Sequence, residues 1–171
     1  DITPSVFTAK EDIEANFVWN DFCGANFSKY LVQKTRKLEG KILVFLKPCD
    51  TYSFNQLITE HRVDRDKAYI IGVGCKGKLD IEKIKKTGIK GITAIAEDGD
   101  DLKITTLYGE KTVKRADALL TKCQACKGKI HRGVDETLGE SADTTSGDKF
   151  DLVAKIEAMS ADERFEYFRS E

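Results

Sequence analysis

Apolar positions gather in two nearly unbroken runs, K-I-L-V-F-L-K at 41–47 and K-A-Y-I-I-G-V-G at 67–74. Continuous runs of branched apolar residues predict strands buried on both faces, as in a parallel sheet. Pro48 closes the first run. Between the two, Phe54, Leu57 and Ile58 recur at helical spacing behind Asp50, a candidate N-cap, so a helix is expected there. Strand, crossover helix and strand within about 35 residues make a βαβ unit with parallel strands. Asp80 then opens a second helix that ends before Gly88.

Residues 8–38 read as mainly helical, with Phe27, Tyr30, Leu31 and Leu38 on one face, Cys23 in the N-D-F-C-G junction and Gly40 as the stop. From Gly91 the pattern shortens to I-T-A-I-A-E, the turn D-G-D-D and L-K-I-T-T-L-Y, a hairpin or an edge of the sheet. A helix over about 114–120 is expected to deliver C-Q-A-C at 123–126. The fold class is α/β: a mainly parallel sheet with βαβ units, a small hairpin and flanking helices. Residues 1–138 read as one α/β domain carrying the cysteines, 139–148 as a flexible loop, and 149–171 as two amphipathic C-terminal helices.

Composition narrows the function classes. A chain of 171 residues buries roughly 70% of its unfolded surface, so the core needs no metal to hold it and a metal site is expected to be functional. With 28 basic and 29 acidic residues, net charge points to neither nucleic acid nor membrane. No apolar run approaches the roughly 20 residues of a membrane span. Five cysteines fall well short of the roughly 8–10% of a disulfide scaffold, which fits a reduced, cytoplasmic protein. The chain begins at Asp1 and its only methionine is Met159, so it is expected to be part of a longer protein.

Cys49 and Cys75 both follow a predicted strand, where open parallel sheets place their ligand sites. Cys123 and Cys126 have the two-residue gap that lets neighbouring sulfurs bind one centre. These four are the candidate metal ligands, with Cys23 outside the set. The overall spacing matches neither a compact ferredoxin run nor paired zinc knuckles, so an iron-sulfur cluster and a zinc ion both remain open. The stretch I-I-G-V-G-C-K-G raises a rival reading. Gly72, Gly74 and Gly77 spell the glycine motif of a dinucleotide turn, with Glu97 at the distance of its ribose-binding acid. Against this, the helix cap comes only at Asp80, so the loop is wider than that turn. The same glycines suit a loop whose amides turn toward sulfur.

K-P-C-D before a helix, I-I-G-V-G-C-K-G-x-x-D and C-x-x-C-K-G-K-I-H-R-G-V-D-E-T-L-G, in this order, together with W-N-D-F-C-G-A-N-F-S-K-Y-L, resemble the beta-subunit family of coenzyme F-420-reducing hydrogenases and F-420-linked formate dehydrogenases. Members of that family often accompany heterodisulfide reductase-type proteins. The resemblance spans nearly the whole chain. It implies an anaerobic electron-transfer subunit with a [4Fe-4S] cluster on Cys49, Cys75, Cys123 and Cys126, working with redox partner subunits of ferredoxin, hydrogenase, formate dehydrogenase or heterodisulfide reductase type. In some members it also implies a flavin, FAD, and a deazaflavin or nicotinamide substrate. The chain departs from the family in having His131 where Pro is usual and in stopping where many relatives continue into a two-cluster ferredoxin segment. The last helices resemble the lead-in to such a segment, so an excised domain or a short subunit is expected. A zinc-binding interaction domain and a flavin- or nicotinamide-binding oxidoreductase domain are the alternatives.

Other candidates have plainer readings. His131 is expected to be solvated, and His61 to complement a helix dipole. Lys47, Lys76, Lys78, Lys127, Lys129 and Arg132 either offset a negatively charged cluster or form a solvated rim. No Ser-His-Asp or paired-carboxylate pattern points to hydrolysis, and no catalytic residue is assigned.

Overall fold

In the computed structural model, which describes residues 4–141, 148 and 150–170, the N-terminal region forms two short helices instead of one mainly helical stretch. These are α1 (Lys10–Asn16) and α2 (Ser28–Lys37). Residues 17–27 between them are turns and irregular chain. Local chemistry explains the break: the Asn20 side-chain oxygen accepts the Phe22 amide at 2.9 Å, and Asn26 accepts both the amide (3.0 Å) and the hydroxyl (2.7 Å) of Ser28. Such Asn turns compete with helix. The aromatic rings freed from helical spacing pack on the sheet, with Phe17 5.3 Å and Trp19 6.4 Å from Phe45 between ring centroids.

Strands β1 (Ile42–Leu46) and β2 (Ala68–Val73) pair in parallel, with Ile42 opposite Ala68 and Leu46 opposite Gly72. Helix α3 (Pro48–Thr59) connects them, as the βαβ pattern requires. The helix starts earlier than the sequence suggests. Pro48 occupies its first turn and Lys47 caps it, while Asp50 lies inside, accepting the Lys47 amide at 3.4 Å. Proline suits this place because the first helical amide has no partner in the helix. Cys49 therefore belongs to the first turn of α3. At the other end His61, at φ 53°, is the left-handed residue that closes the helix. Its amide reaches Ile58 O (2.9 Å) and the Arg62 amide reaches Leu57 O (2.9 Å), a Schellman pattern.

Asp80 caps α4 (Ile81–Lys86) by accepting the Glu82 amide at 2.9 Å, as expected. Then β3 (Ile92–Asp98), β4 (Asp101–Thr106) and β5 (Gly109–Lys114) form an antiparallel sheet of their own, in the order β3-β4-β5. The expected hairpin is its first half. Strand β5 escapes a periodicity reading because in G-E-K-T-V-K only Val113 is apolar and partly buried, as befits an edge. The single helix expected over 114–120 is instead α5 (Arg115–Ala118), followed after a break by α6 (Thr121–Gln124). Leu119 is drawn out of helix into a β-bridge with Leu79. Strand β6 (Glu136–Leu138) joins β2 in parallel and completes the first sheet, β1-β2-β6. Helices α7 (Asp151–Glu157) and α8 (Ala161–Ser170) come last. Most of the flexible loop expected at 139–148 lies outside the described residues. No helix among the described residues is long and apolar enough to cross a membrane.

Each sheet has its own apolar cluster. Leu46, Phe54 and Ile70 are fully buried between β1, β2 and α3, with Leu31 of α2 added. Leu102 and Ile104 of β4 pack with Ile84, Leu79 and Leu119. Truncation of Phe54 to alanine is expected to destabilise the protein by about 3–5 kcal/mol, read from a urea midpoint.

The short β6 depends on Asp135. Its amide donates to Ile70 O at 2.9 Å, its carboxylate accepts the Ile70 amide at 2.6 Å, and Arg65 donates to the other oxygen at 2.8 Å. The bond from Arg65, then that from Ile70, hold this carboxyl below its ordinary value. A depressed carboxyl stabilises the fold above the unfolded value near pH 3.9 and loses that contribution as pH falls below it. The Asp135→Asn variant should therefore have a lower urea midpoint than the wild type at pH 7, and the gap should narrow as the pH falls below about 3.9.

Candidate metal centre

Three segments converge at the carboxyl ends of β1 and β2. Cys49 comes from the first turn of α3, Cys75 lies two residues past β2, and Cys123 and Cys126 come from α6 and the turn after it. All four line one cavity of about 20 Å³. The contacts that gather them are specific. The backbone of Gly128 passes so close to Cys49 that an added Cβ would stand 3.5 Å from its Cα. Downstream, Arg132 donates its amide to Thr51 Oγ1 (3.1 Å) and its carbonyl accepts from Asn55 (3.3 Å), binding the segment after Cys126 along α3. Leu120 donates to Lys78 O (2.8 Å), and the Cys123 amide to Leu120 O (2.7 Å). The Lys78 amide points back at the Cys123 sulfur at 3.4 Å.

The glycines of the 72–77 loop are used inside the protein. A Cβ on Gly72 would meet the His131 ring at 2.7 Å, and one on Gly74 would collide with the Glu140 carbonyl. Gly77 holds φ 87°, a left-handed turn suited to glycine. The bare backbone that a pyrophosphate would need at Gly72 and Gly74 is thus occupied by the chain itself. His131 is half-buried on Gly72, its Nε2 3.1 Å from Val73 O, where a solvated ring had been expected.

Basic residues surround the cysteines, but not simply as a solvated rim. Lys47, Lys78, Lys122 and Lys129 line the cavity, and the side chains of Lys47 and Lys78 are only 2% and 3% exposed. Lys47 Nζ pairs with Asp50 Oδ2 and donates to Ala25 O, both at 2.6 Å. Lys78 Nζ pairs with Asp21 at 3.2 Å and donates to Asn20 O at 3.1 Å. Both ammonium groups face the Trp19 ring, at 5.9 and 5.3 Å from its centroid. Burial by itself raises the Asp21 carboxyl, but the charges of Arg115 and Lys78 and the hydrogen bond that Arg115 donates outweigh this and leave it below its ordinary value. Sequence reasoning did not single out Asp21, Arg115, Trp19 or Lys122; they lie up to 98 residues from what they touch.

Cys49 keeps an exposed flank, yet burial of its thiol pushes its pKa up to about 11. The Asp50 carboxylate and the Cys126 and Cys75 sulfurs add to this, and Lys47 opposes it. Mutual repulsion of sulfurs is what a bound cation relieves, since a coordinated thiol is deprotonated outright. Among the described residues no three His, Cys, Asp or Glu side chains stand close enough together to chelate a metal ion in the arrangement shown. The donor set nevertheless fits a thiolate-bound centre: four cysteines share one small cavity, with lysines around it. Cys23 is buried elsewhere, accepting the Asn20 amide at 3.3 Å and lining a separate aromatic-walled cavity of about 320 Å³ with Trp19, Phe27 and Phe45. No known family model matches the chain.

The Lys47–Asp50 pair gives a direct test of this packing. Asp50→Ala would leave a buried ammonium without its carboxylate, and a loss of about 3–5 kcal/mol is expected. Lys47→Met combined with Asp50→Leu should lose clearly less, since no charge is then stranded; urea midpoints of the two variants decide it.

Proposed function

We propose that this chain is an electron-transfer module of an anaerobic, cytoplasmic oxidoreductase of hydrogenase, formate dehydrogenase or heterodisulfide reductase type, with a [4Fe-4S] cluster held by Cys49, Cys75, Cys123 and Cys126. The observation that carries this reading is the meeting of four cysteines from three separate segments at one sheet edge, outside both apolar clusters. A centre in that position is not needed to complete a core, which favours a working site over a structural one. The resemblance of the cysteine motifs to the beta-subunit family supports the cluster and the redox partner subunits.

When bound, such a cluster takes up and returns one electron at a potential set by its surroundings. The chain's own residues supply those surroundings. The Lys78 amide donates toward the Cys123 sulfur. The lysines that line the cavity offset negative charge on the sulfurs. Cys49, with its exposed flank, puts the site within reach of a docked redox partner. FAD is a further cofactor that the resemblance suggests, and its binding belongs to the same proposal.

A second reading rests on the size of the cavity. About 20 Å³ holds little more than one water-sized guest, which is nearer the size of a single zinc ion of an interaction domain than that of a four-iron cluster.

Protein purified without oxygen and reconstituted with iron and sulfide decides between them. About four iron and four sulfide per chain, with visible absorbance that bleaches on reduction, are expected for the cluster. One zinc without sulfide would establish the second reading. Cys75→Ser and Cys126→Ser should lose most of the iron while keeping their far-ultraviolet circular dichroism, because the hydroxyl is a poorer ligand and the cores do not include these residues. Cys23→Ser should retain its iron. Loss in Cys23→Ser with retention in Cys75→Ser would overturn the ligand set.

A further inference from the structure

One peptide unit links the second sheet to the cysteines. The Gly77 carbonyl accepts from Arg115 Nη2 at 3.1 Å, and the amide of the same peptide, on Lys78, donates to Cys123 Sγ at 3.4 Å. In a trans peptide the carbonyl and the N–H point in opposite directions. A guanidinium that holds the carbonyl therefore also aims the N–H. Arg115 is itself tightly held, with a side chain only 13% exposed. The same Nη2 reaches Asp21 Oδ2 at 2.5 Å and Lys76 O at 3.4 Å, and Nη1 reaches Glu97 Oε1 at 3.1 Å. Asp21 in turn pairs with the Lys78 ammonium, and its carbonyl accepts the Leu79 amide at 2.8 Å. Both ends of residues 77–79 are thereby fixed, and Gly77 supplies the left-handed φ that the turn needs.

We infer that Arg115 is a positioning residue for the cysteine site: through the Gly77–Lys78 peptide it aims and polarises the amide that donates to the Cys123 sulfur. Hydrogen bonds in a chain strengthen one another, and a cation on the carbonyl makes the N–H a better donor. A donor to a ligand sulfur favours the more negatively charged, reduced form of a bound centre. Arg115 thus sets the potential from outside the ligand shell. This last step rests on the electron-transfer reading; the aiming of the amide does not. Lysine cannot take over the role, because one ammonium cannot bridge Asp21, Glu97 and the Gly77 carbonyl together as a planar fork does.

The test uses the full chain and two variants, Arg115→Lys, which keeps the charge, and Arg115→Gln, which removes it. In metal-free protein, hydrogen exchange of the Lys78 amide should quicken about five- to tenfold in both variants, the loss of one hydrogen bond of ordinary strength. The Ile70 amide in β2 should keep its rate. In reconstituted protein the midpoint potential should fall in both variants. Unchanged Lys78 exchange in Arg115→Lys would overturn the positioning role, and that variant suffices if Arg115→Gln does not fold. Faster exchange with a wild-type potential in Arg115→Lys would overturn the tuning and leave only the charge at work. A wild-type chain that takes up no iron or sulfide would sink the electron-transfer reading, while the exchange rates would still decide whether Arg115 aims the amide.

Discussion

Two ammonium groups are buried beside the cysteines, and neither can remain there unpaired. Stranding a charge in the interior costs several kcal/mol, so Lys47 requires Asp50 and Lys78 requires Asp21. The consequence is architectural. Asp21, Asn20 and Ala25 belong to the irregular segment between α1 and α2, which must lie across the sheet edge to satisfy the two lysines. Trp19, in the same segment, then has both cations over its ring, at 5.9 and 5.3 Å from its centroid. Gly24 of the same segment lines the cysteine cavity together with both lysines, whose ammonium groups are held at fixed positions.

The two sheets meet through the same network. The second apolar cluster takes Leu79 and Leu119 from the segments that flank the cysteines, and the Leu79–Leu119 bridge ties the Cys75 loop to the approach to Cys123. Arg115, directly after β5, adds the polar part of this junction through Asp21, Glu97 and the Gly77 carbonyl. The antiparallel sheet is therefore a support on which the geometry of the Cys75 loop depends. That gives a physical reason for a small, mostly exposed sheet to stand beside the parallel one.

The glycine motif illustrates how one spelling serves different physics. Glycine permits close approach of another atom, and in a dinucleotide turn that atom belongs to a phosphate. Here the approaching groups are His131 over Gly72 and Glu140 over Gly74. The motif brings the region after Cys126 and the segment just past β6 against β2 and the residue that follows it.

Sequence alone determined the features that short-range periodicity and local stereochemistry control. The apolar runs at 42–46 and 68–73, the intervening helix, the Asp80 cap and the terminal helices are all settled by neighbours a few residues apart. Placing Cys49 and Cys75 beside adjacent strand ends is a consequence of the βαβ unit, since parallel strands share one carboxyl edge. Tertiary structure decided the rest. Strand β5 has too few apolar residues to announce itself, and the three residues of β6 form a strand only because β2 offers a free edge and Asp135 locks to Ile70. Lys47 and Lys78 read as surface charge because lysine is nearly always solvated; only the carboxylate each meets, and for Lys78 that carboxylate is 57 residues away, makes its burial tolerable. Likewise Arg115 carries no local signal, because its role exists only where a carbonyl 38 residues distant turns its back on a cysteine.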